Sequence, residues 1–254
     1  MDVEMVIADL DNTLLRSDKT ISARTASVFS RLREKGIKTA YATARSARAA
    51  KAFMKQFEPD IFIGYGGALT VSGGAVISRF AVPAGVSYKI INDYLREPDI
   101  FSVHAVNESA ALTNRPDESD PDTSYYKYFD FTVENGLSYL KITLIASDPE
   151  PVFRVAAKYP EIGALRYTGE DMFAVTSVFA NKWNAIKVVS GYFGIDINKT
   201  VAFGDDVNDI EMLKNCGTGV AMENAVGAAK DAADHICGGN DKDGAAEWIE
   251  ENIL

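Results

Sequence analysis

The feature that most constrains this chain is an alternation of short apolar runs with helical periodicity at both of its ends. Residues 3–8 form an apolar run the length of a buried strand, and polar residues follow from Asp9 to Lys19. Ser22 then suits a helix N-cap ahead of Ala26, Val28, Phe29 and Leu32 at helical spacing, ending at Gly36. The same reading gives a strand over 37–42, a helix over 46–57 and a strand over 60–64. From residue 181 the rhythm resumes: a helix to 193, a strand over 200–203, a helix to 215, a strand over 218–222 and a helix from 224. A short strand over 235–237 and a closing helix over 244–252 complete it. Strands alternating with helices build a parallel sheet with right-handed crossovers, so the expected class is α/β with a Rossmann-like parallel-sheet core.

The middle of the chain breaks this rhythm. Residues 68–71 and 75–82 flank Ser72-Gly73-Gly74 and read as a hairpin. Beyond them, strands are expected over 101–106, 125–132, 138–146 and 172–178, with helices over 87–96 and 150–159. The stretch 113–124, with two prolines and four acids, reads as a solvated loop. The simplest organisation is a core formed by residues 1–82 and 181–254, interrupted by an inserted α+β domain over 83–180.

Composition narrows the function classes. The 254 residues carry 26 basic and 36 acidic side chains, a net charge of −10. Sequence-independent binding to nucleic acid or to an anionic membrane needs a basic face, so neither partner is expected. No apolar run approaches the roughly 18 residues of a membrane span. Acids near the N-terminus, where a secretory signal carries basic residues, give the expectation of a cytoplasmic protein. Cys216 and Cys237 allow at most one bridge, and two histidines are too few for a histidine-rich metal site.

Chemistry concentrates at the tips of the expected strands, where open parallel sheets place their ligands. Asp9-Leu10-Asp11-Asn12-Thr13 ends the first strand. In an extended segment Asp9 and Asp11 face one side, where repulsion favours a cation or raises one pKa; the same residues also suit a polar turn. Gly204-Asp205-Asp206-Val207-Asn208-Asp209 repeats the arrangement. Asp206 suits an N-cap there, which leaves Asp205 unexplained by capping. If the two strands are neighbours, Asp9, Asp11 and Asp205 converge, a hard oxygen set suited to Mg²⁺. Thr43 supplies a hydroxyl at a third tip, with Ser46 to cap the next helix. Lys182 follows Asn181, a good N-cap, so its charge opposes the helix dipole unless an anion binds there; an exposed lysine is the alternative.

In order and spacing these residues resemble the haloacid dehalogenase-like phosphatases, and within them the Cof-type sugar-phosphatase branch. Asp9-x-Asp11-x-Thr13, Thr43, Lys182 and Gly204-Asp205-x-x-Asn208-Asp209 are similar to that family's four motifs. The resemblance implies a Rossmann-like core with an α/β cap. It implies Asp9 as nucleophile and Asp11 as general acid and base. Mg²⁺ would be held by the Asp9 carboxylate, the Asp11 carbonyl and Asp205. Thr43, Ala44 and Lys182 would contact phosphate, with backbone amides near Leu10 and Asn12, and Asn208 would touch phosphate or orient the acids. Thr13 would brace the loop, and Asp209 would anchor Lys182 or lie behind the metal. The partner implied is a small phosphorylated metabolite, handled by a monomer or homodimer.

The chain departs from the family's pattern in three places. Ala44 and Trp183 stand where glycine is usual, and Gly66-Gly67-Ala68 stands where Asn-Gly-Ala is frequent. Trp183 is then expected to pack on the cap or to face substrate. Arg115, Lys127 and Tyr128 are insertion residues with reach to a leaving group, though exposure is the ordinary state of such side chains. A phosphomutase of the same architecture and a non-catalytic phosphate or Mg²⁺ sensor are the competing readings.

Overall fold

A computed structural model of the chain describes residues 1–54, 56–115, 126–167 and 171–254. The expected loop over 113–124 lies outside the described residues from 116 onward. In chain order the first elements are β1 (Met5–Ala8), α1 (Ala23–Glu34), β2 (Lys38–Ala42), α2 (Ala47–Met54), β3 (Ile61–Gly64), β4 (Leu69–Ser72) and β5 (Ala75–Arg79). Ser22 caps α1 by accepting from the Thr25 amide, and Ser46 Oγ accepts from the Ala49 amide at 3.1 Å. Gly73 and Gly74, at φ +56° and +81°, form the two-residue turn of the β4–β5 hairpin, a conformation that favours glycine.

Next come α3 (Ala84–Leu95), β6 (Ile100–Val106), β7 (Ala111–Thr113), β8 (Lys127–Tyr128), β9 (Lys141–Ala146), α4 (Pro149–Ala156), β10 (Ile162–Arg166) and β11 (Met172–Ser177). The last group is α5 (Lys182–Phe193), β12 (Thr200–Gly204), α6 (Ile210–Asn215), β13 (Thr218–Met222), α7 (Gly227–Ala232), β14 (His235–Cys237) and α8 (Gly244–Asn252). The chain divides into two compact units, Met1–Ser78 with Asn181–Leu254, and Arg79–Ala180.

The first unit is built on an eight-stranded sheet in the order β14-β13-β12-β1-β2-β3-β4-β5. Pairing is parallel from β14 through β3, and β4 runs antiparallel to β3. Both faces are covered, as parallel sheets require. Val6 and Ala8 of β1 join a cluster with Phe29 and Leu32 of α1 and Trp248 of α8. Met5 and Ile7 point the other way, into a cluster with Ala185, Ile186 and Val189 of α5.

The second unit is a six-stranded sheet, β10-β11-β9-β6-β7-β8, with α3 and α4 packed on the face that carries Val103, Ala105, Ile142, Leu144 and Phe173. Two expectations change here, and two short strands add to those expected. Of the strand expected over 125–132, Tyr125 lies outside the described residues and the rest is reduced to β8, because Asp130 accepts from the Thr132 amide and Phe131 takes φ +59°, which breaks the extended path. Of the stretch 138–146, Tyr139 pairs instead in an isolated bridge with Val82, so β9 starts at Lys141. The short strands β7 and β10 had no alternating signal; β7 is turned back on β6 by Asn107, whose Oδ1 accepts from the Ser109 and Ala110 amides. Among the described residues, no helix is long and apolar enough to cross a membrane.

Candidate active site

β1 lies between β12 and β2, with Ala8 in register with Phe203 and with Tyr41. The parallel register brings three carboxyl-terminal tips together, and the next residues are Asp205, Asp9 and Thr43. The Asp9 amide donates to the Phe203 carbonyl at 3.0 Å, and the Val226 amide to the Asp205 carbonyl at 2.9 Å. That bond, within the segment after β13, goes with a start of α7 at Gly227 rather than at 224.

Lys182 is the first residue of α5, whose N-cap Asn181 accepts from the Asn184 amide. Its side chain is 1% exposed, so it is not the solvated lysine of the alternative reading. The ammonium donates to Asp9 Oδ1 at 2.7 Å and to Asp209 Oδ1 at 2.5 Å. Asp209 spends its other oxygen on the amides of Asp205 and Asp206, at 3.0 and 3.1 Å. Asp206 caps the turn by accepting from the Val207 amide. Asp209 therefore anchors Lys182 and orders the 205–209 loop together. Thr13 Oγ1 donates to Asp205 Oδ1 at 2.9 Å, bracing the first loop against the second.

Gly67 sets how closely this helix start is approached. Its φ is +106°, and a Cβ there would lie 2.2 Å from the Asn181 carbonyl oxygen. Gly66, at φ +70°, faces open space, and its amide donates to the Thr43 carbonyl at 2.9 Å. Thr43 is buried, and its Oγ1 accepts from the Arg45 amide at 3.1 Å. Ala44 follows it, half-buried, and Leu10 is buried.

Asp11 departs from the expectation that its carboxylate converges with those of Asp9 and Asp205. The segment after Asp9 is not extended: residues 10–14 form one wide turn, closed by the Leu15 amide on the Leu10 carbonyl at 2.7 Å, with Asn12 at φ 56°, ψ 10°. The turn sends the Asp11 carboxylate to Arg45, whose Nε and Nη2 each donate at 2.6 Å, and to Lys19 Nζ at 3.1 Å. Arg45 was missed in the sequence; its only signal is its place two residues after Thr43.

Electrostatics separate these carboxyls. Burial pushes the Asp205 carboxyl up to about 6, helped by the charge of Asp209. Burial also raises Asp9, against the pull of Lys182 and with the push of Asp209 and Asp205. Burial of Lys182 works against its charge but is outweighed by Asp209 and Asp9, so the ammonium stays protonated. Burial pushes Asp11 the same way as Asp9, yet the hydrogen bonds and charge of Arg45, then Lys19, outweigh it and hold its carboxyl below the usual range.

Carboxylate oxygens of Asp9, Asp205 and Asp209 lie within 4.8 Å of one another, and all three residues are buried. The donor set fits a hard divalent cation. Asp209 has committed both oxygens to protein donors, whereas Asp9 and Asp205 have each committed one. Asn208 Oδ1, beside them in the loop, is buried with no hydrogen-bond partner among the described residues, an acceptor suited to a cation's surroundings.

Trp183 is half-buried. It packs against the core cluster that holds Met5, Ile7 and Ala185, with Lys187 Nζ 5.6 Å from its ring centroid. Neighbouring helical residues are turned by about 100°, so a Lys182 aimed at the strand tips sends Trp183 elsewhere. Arg115, Lys127 and Tyr128 are exposed.

A family model of haloacid dehalogenase-like hydrolases matches residues 6–249. The chain belongs to that family. Within it, the protein is a phosphatase of the Cof type. It is 26% identical to a 5-amino-6-(5-phospho-D-ribitylamino)uracil phosphatase of Bacillus subtilis, over 97% of this chain and 96% of the relative. It is also 26% identical to an HMP-PP phosphatase of Escherichia coli, over 90% of this chain and 87% of the relative. In fold it matches a sugar phosphatase of subclass IIB of this superfamily with TM-score 0.84 and 23% identity, over 98% of each chain. A haloacid dehalogenase-like hydrolase of Bacteroides thetaiotaomicron matches with TM-score 0.83 and 24% identity, over 98% of this chain and 99% of the other.

Proposed function

We propose that this protein is a Mg²⁺-dependent phosphatase that hydrolyses a small phosphoester, a sugar phosphate or related metabolite, through an aspartyl-phosphate on Asp9. The observation that carries the reading is the buried ammonium of Lys182, which bridges Asp9 and Asp209 beside Asp205. A cation so placed holds a nucleophilic carboxylate at a fixed orientation and meets an incoming phosphate with positive charge. The phosphorylated metabolites named for the two relatives support the substrate class.

Asp9 and Asp205, with the Asp11 carbonyl, would hold the ion; when bound, Mg²⁺ supplies positive charge that offsets the repulsion between carboxylates and phosphoester. Thr43, Ala44, Lys182 and Asn208, with backbone amides near Leu10 and Asn12, hold the phosphate oxygens. An Asp9 oxygen bonds to phosphorus as the ester P–O bond breaks, and Asp11 gives its proton to the departing oxygen. Asp11 then takes a proton from water, whose oxygen displaces Asp9 from phosphorus and yields inorganic phosphate. Thr13 holds Asp205, and Asp209 holds Lys182, throughout.

The test is inorganic phosphate release from a panel of sugar phosphates and an aryl phosphate, with Mg²⁺ and with a chelator, beside Asp9→Asn. Release that needs Mg²⁺ and vanishes in the variant is expected. Undiminished release by Asp9→Asn overturns the nucleophile assignment.

A further inference from the structure

The loop that carries Asp9 and Asp11 is held by its carbonyls from two distant asparagines. Asn224 Nδ2 donates to the Asn12 carbonyl at 2.7 Å, and Asn240 Nδ2 donates to the Leu15 carbonyl at 2.9 Å. The Asn240 amide donates to Asn224 Oδ1 at 3.0 Å, so the two clamps are one unit. The loop's next residue is fastened to the same segment, where Arg16 makes a two-point ion pair with Asp243 at 3.1 and 2.7 Å.

Asn12 sits at φ 56°, in the left-handed region, which asparagine accepts but which is less populated than the right-handed and extended regions. The peptide after Asn12 carries the carbonyl that Asn224 grips. The peptide before it carries the Asp11 carbonyl and the Asn12 amide. Those two groups are the ones assigned above to the ion and to a phosphate oxygen. With the Asn12 dihedrals fixed, holding one peptide plane holds the other. Letting go allows Asn12 to relax towards commoner dihedrals, and both groups turn away.

We infer that Asn224, backed by Asn240, is a positioning residue for the reaction at Asp9, acting through the Asn12 peptide without touching substrate. The inference rests on the phosphatase reading. Asn240 is buried, while Asn224 is exposed, so Asn224 can be replaced with little cost to folding. In Asn224→Ala both bonds are lost. In Asn224→Asp the acceptor for the Asn240 amide remains, but the donor to the Asn12 carbonyl is gone.

The experiment measures kcat, KM, inhibition by orthovanadate and by inorganic phosphate, and Tm for the wild-type protein and both variants. Loss of an orienting partner costs about 10–100-fold, so kcat falls by that factor in both, with KM changed by less than about 3-fold. Orthovanadate, which mimics the five-coordinate transition state, weakens in step with kcat, while inorganic phosphate does not. A kcat within about 2-fold of wild type in both variants overturns the inference, and so does a lowered Tm with orthovanadate inhibition retained. An inactive wild-type protein overturns the phosphatase reading itself, so the two failures are distinct.

Discussion

Arg45 grips Asp11 with two parallel bonds, Nε to Oδ2 and Nη2 to Oδ1, each 2.6 Å long. This fork is the strong form of the arginine–carboxylate pair, and it holds as an anion the residue assigned to give up a proton. Asp11 must therefore exchange Arg45 for a proton during each cycle.

Replacing Arg45 by alanine removes the stronger of the two partners that depress the Asp11 carboxyl and leaves Lys19 alone to oppose burial, so the carboxyl rises. Asp11 needs to be deprotonated to activate water, so the acid limb of the kcat profile moves to higher pH in Arg45→Ala. A depressed carboxyl stabilises the fold above its unfolded value of 3.8 and loses that contribution as pH falls. The pair is about one-third exposed, so the stability lost at neutral pH is only about 0.5–1 kcal/mol, vanishing in acid. Rate profiles and melting curves against pH check both; an unmoved acid limb separates Arg45 from the chemistry of Asp11.

Lys182→Met leaves the carboxylates of Asp9 and Asp209 buried without their common cation. Removing one partner of a buried pair costs about 3–5 kcal/mol, and phosphate release falls with it. On an Asp9→Asn background the same substitution costs less, because one charge is already gone. Denaturant titrations in a double-mutant cycle give the coupling, and strict additivity would detach Lys182 from Asp9.

The metal-free protein loses stability as pH rises. Asp205 binds its proton up to about 6 when folded and only to 3.8 when unfolded, so the folded form holds protons that the unfolded chain has released. Stability is greatest below 3.8 on this account and declines through about 6, with Asp9 shifted in the same direction. A bound cation takes the place of those protons, so the gain in Tm on adding Mg²⁺ grows across this window. Thermal melts with Mg²⁺ and with chelator, from about pH 4 to 8, test it. A constant gain across that range refutes the link.

The two glycines of the 66–67 turn differ in what they tolerate. At Gly67 a Cβ would strike the Asn181 carbonyl at 2.2 Å, so Gly67→Ala displaces the start of α5 and costs at least about 2 kcal/mol, with phosphate release reduced. At Gly66 the space is open and φ is +70°, a conformation asparagine accepts, so Gly66→Asn stays within about 0.5 kcal/mol of wild type. Melting temperatures of the two variants settle the contrast.

Local pattern in the amino-acid sequence was enough for much of this protein. The apolar runs before Asp9 and Asp205, the caps Ser22, Asn181 and Asp206, and the alternation of strands with helices all depend on neighbours a few residues away. They fixed the α/β core and the strand tips. Where the expectation failed, a local turn or a distant partner decided. The strand over 125–132 was cut by the Asp130 turn and the positive φ of Phe131, and β7 and β10 draw their order from pairing with β6 and β11. The Asp11 carboxylate was turned to Arg45, and the Asn12 carbonyl was met by Asn224, 212 positions away. The sequence by itself determined which residues stand at the sheet edge, because a strand's period and a helix's cap are short-range. Only the tertiary structure decided which of their oxygens face one another, because that depends on groups brought together by folding.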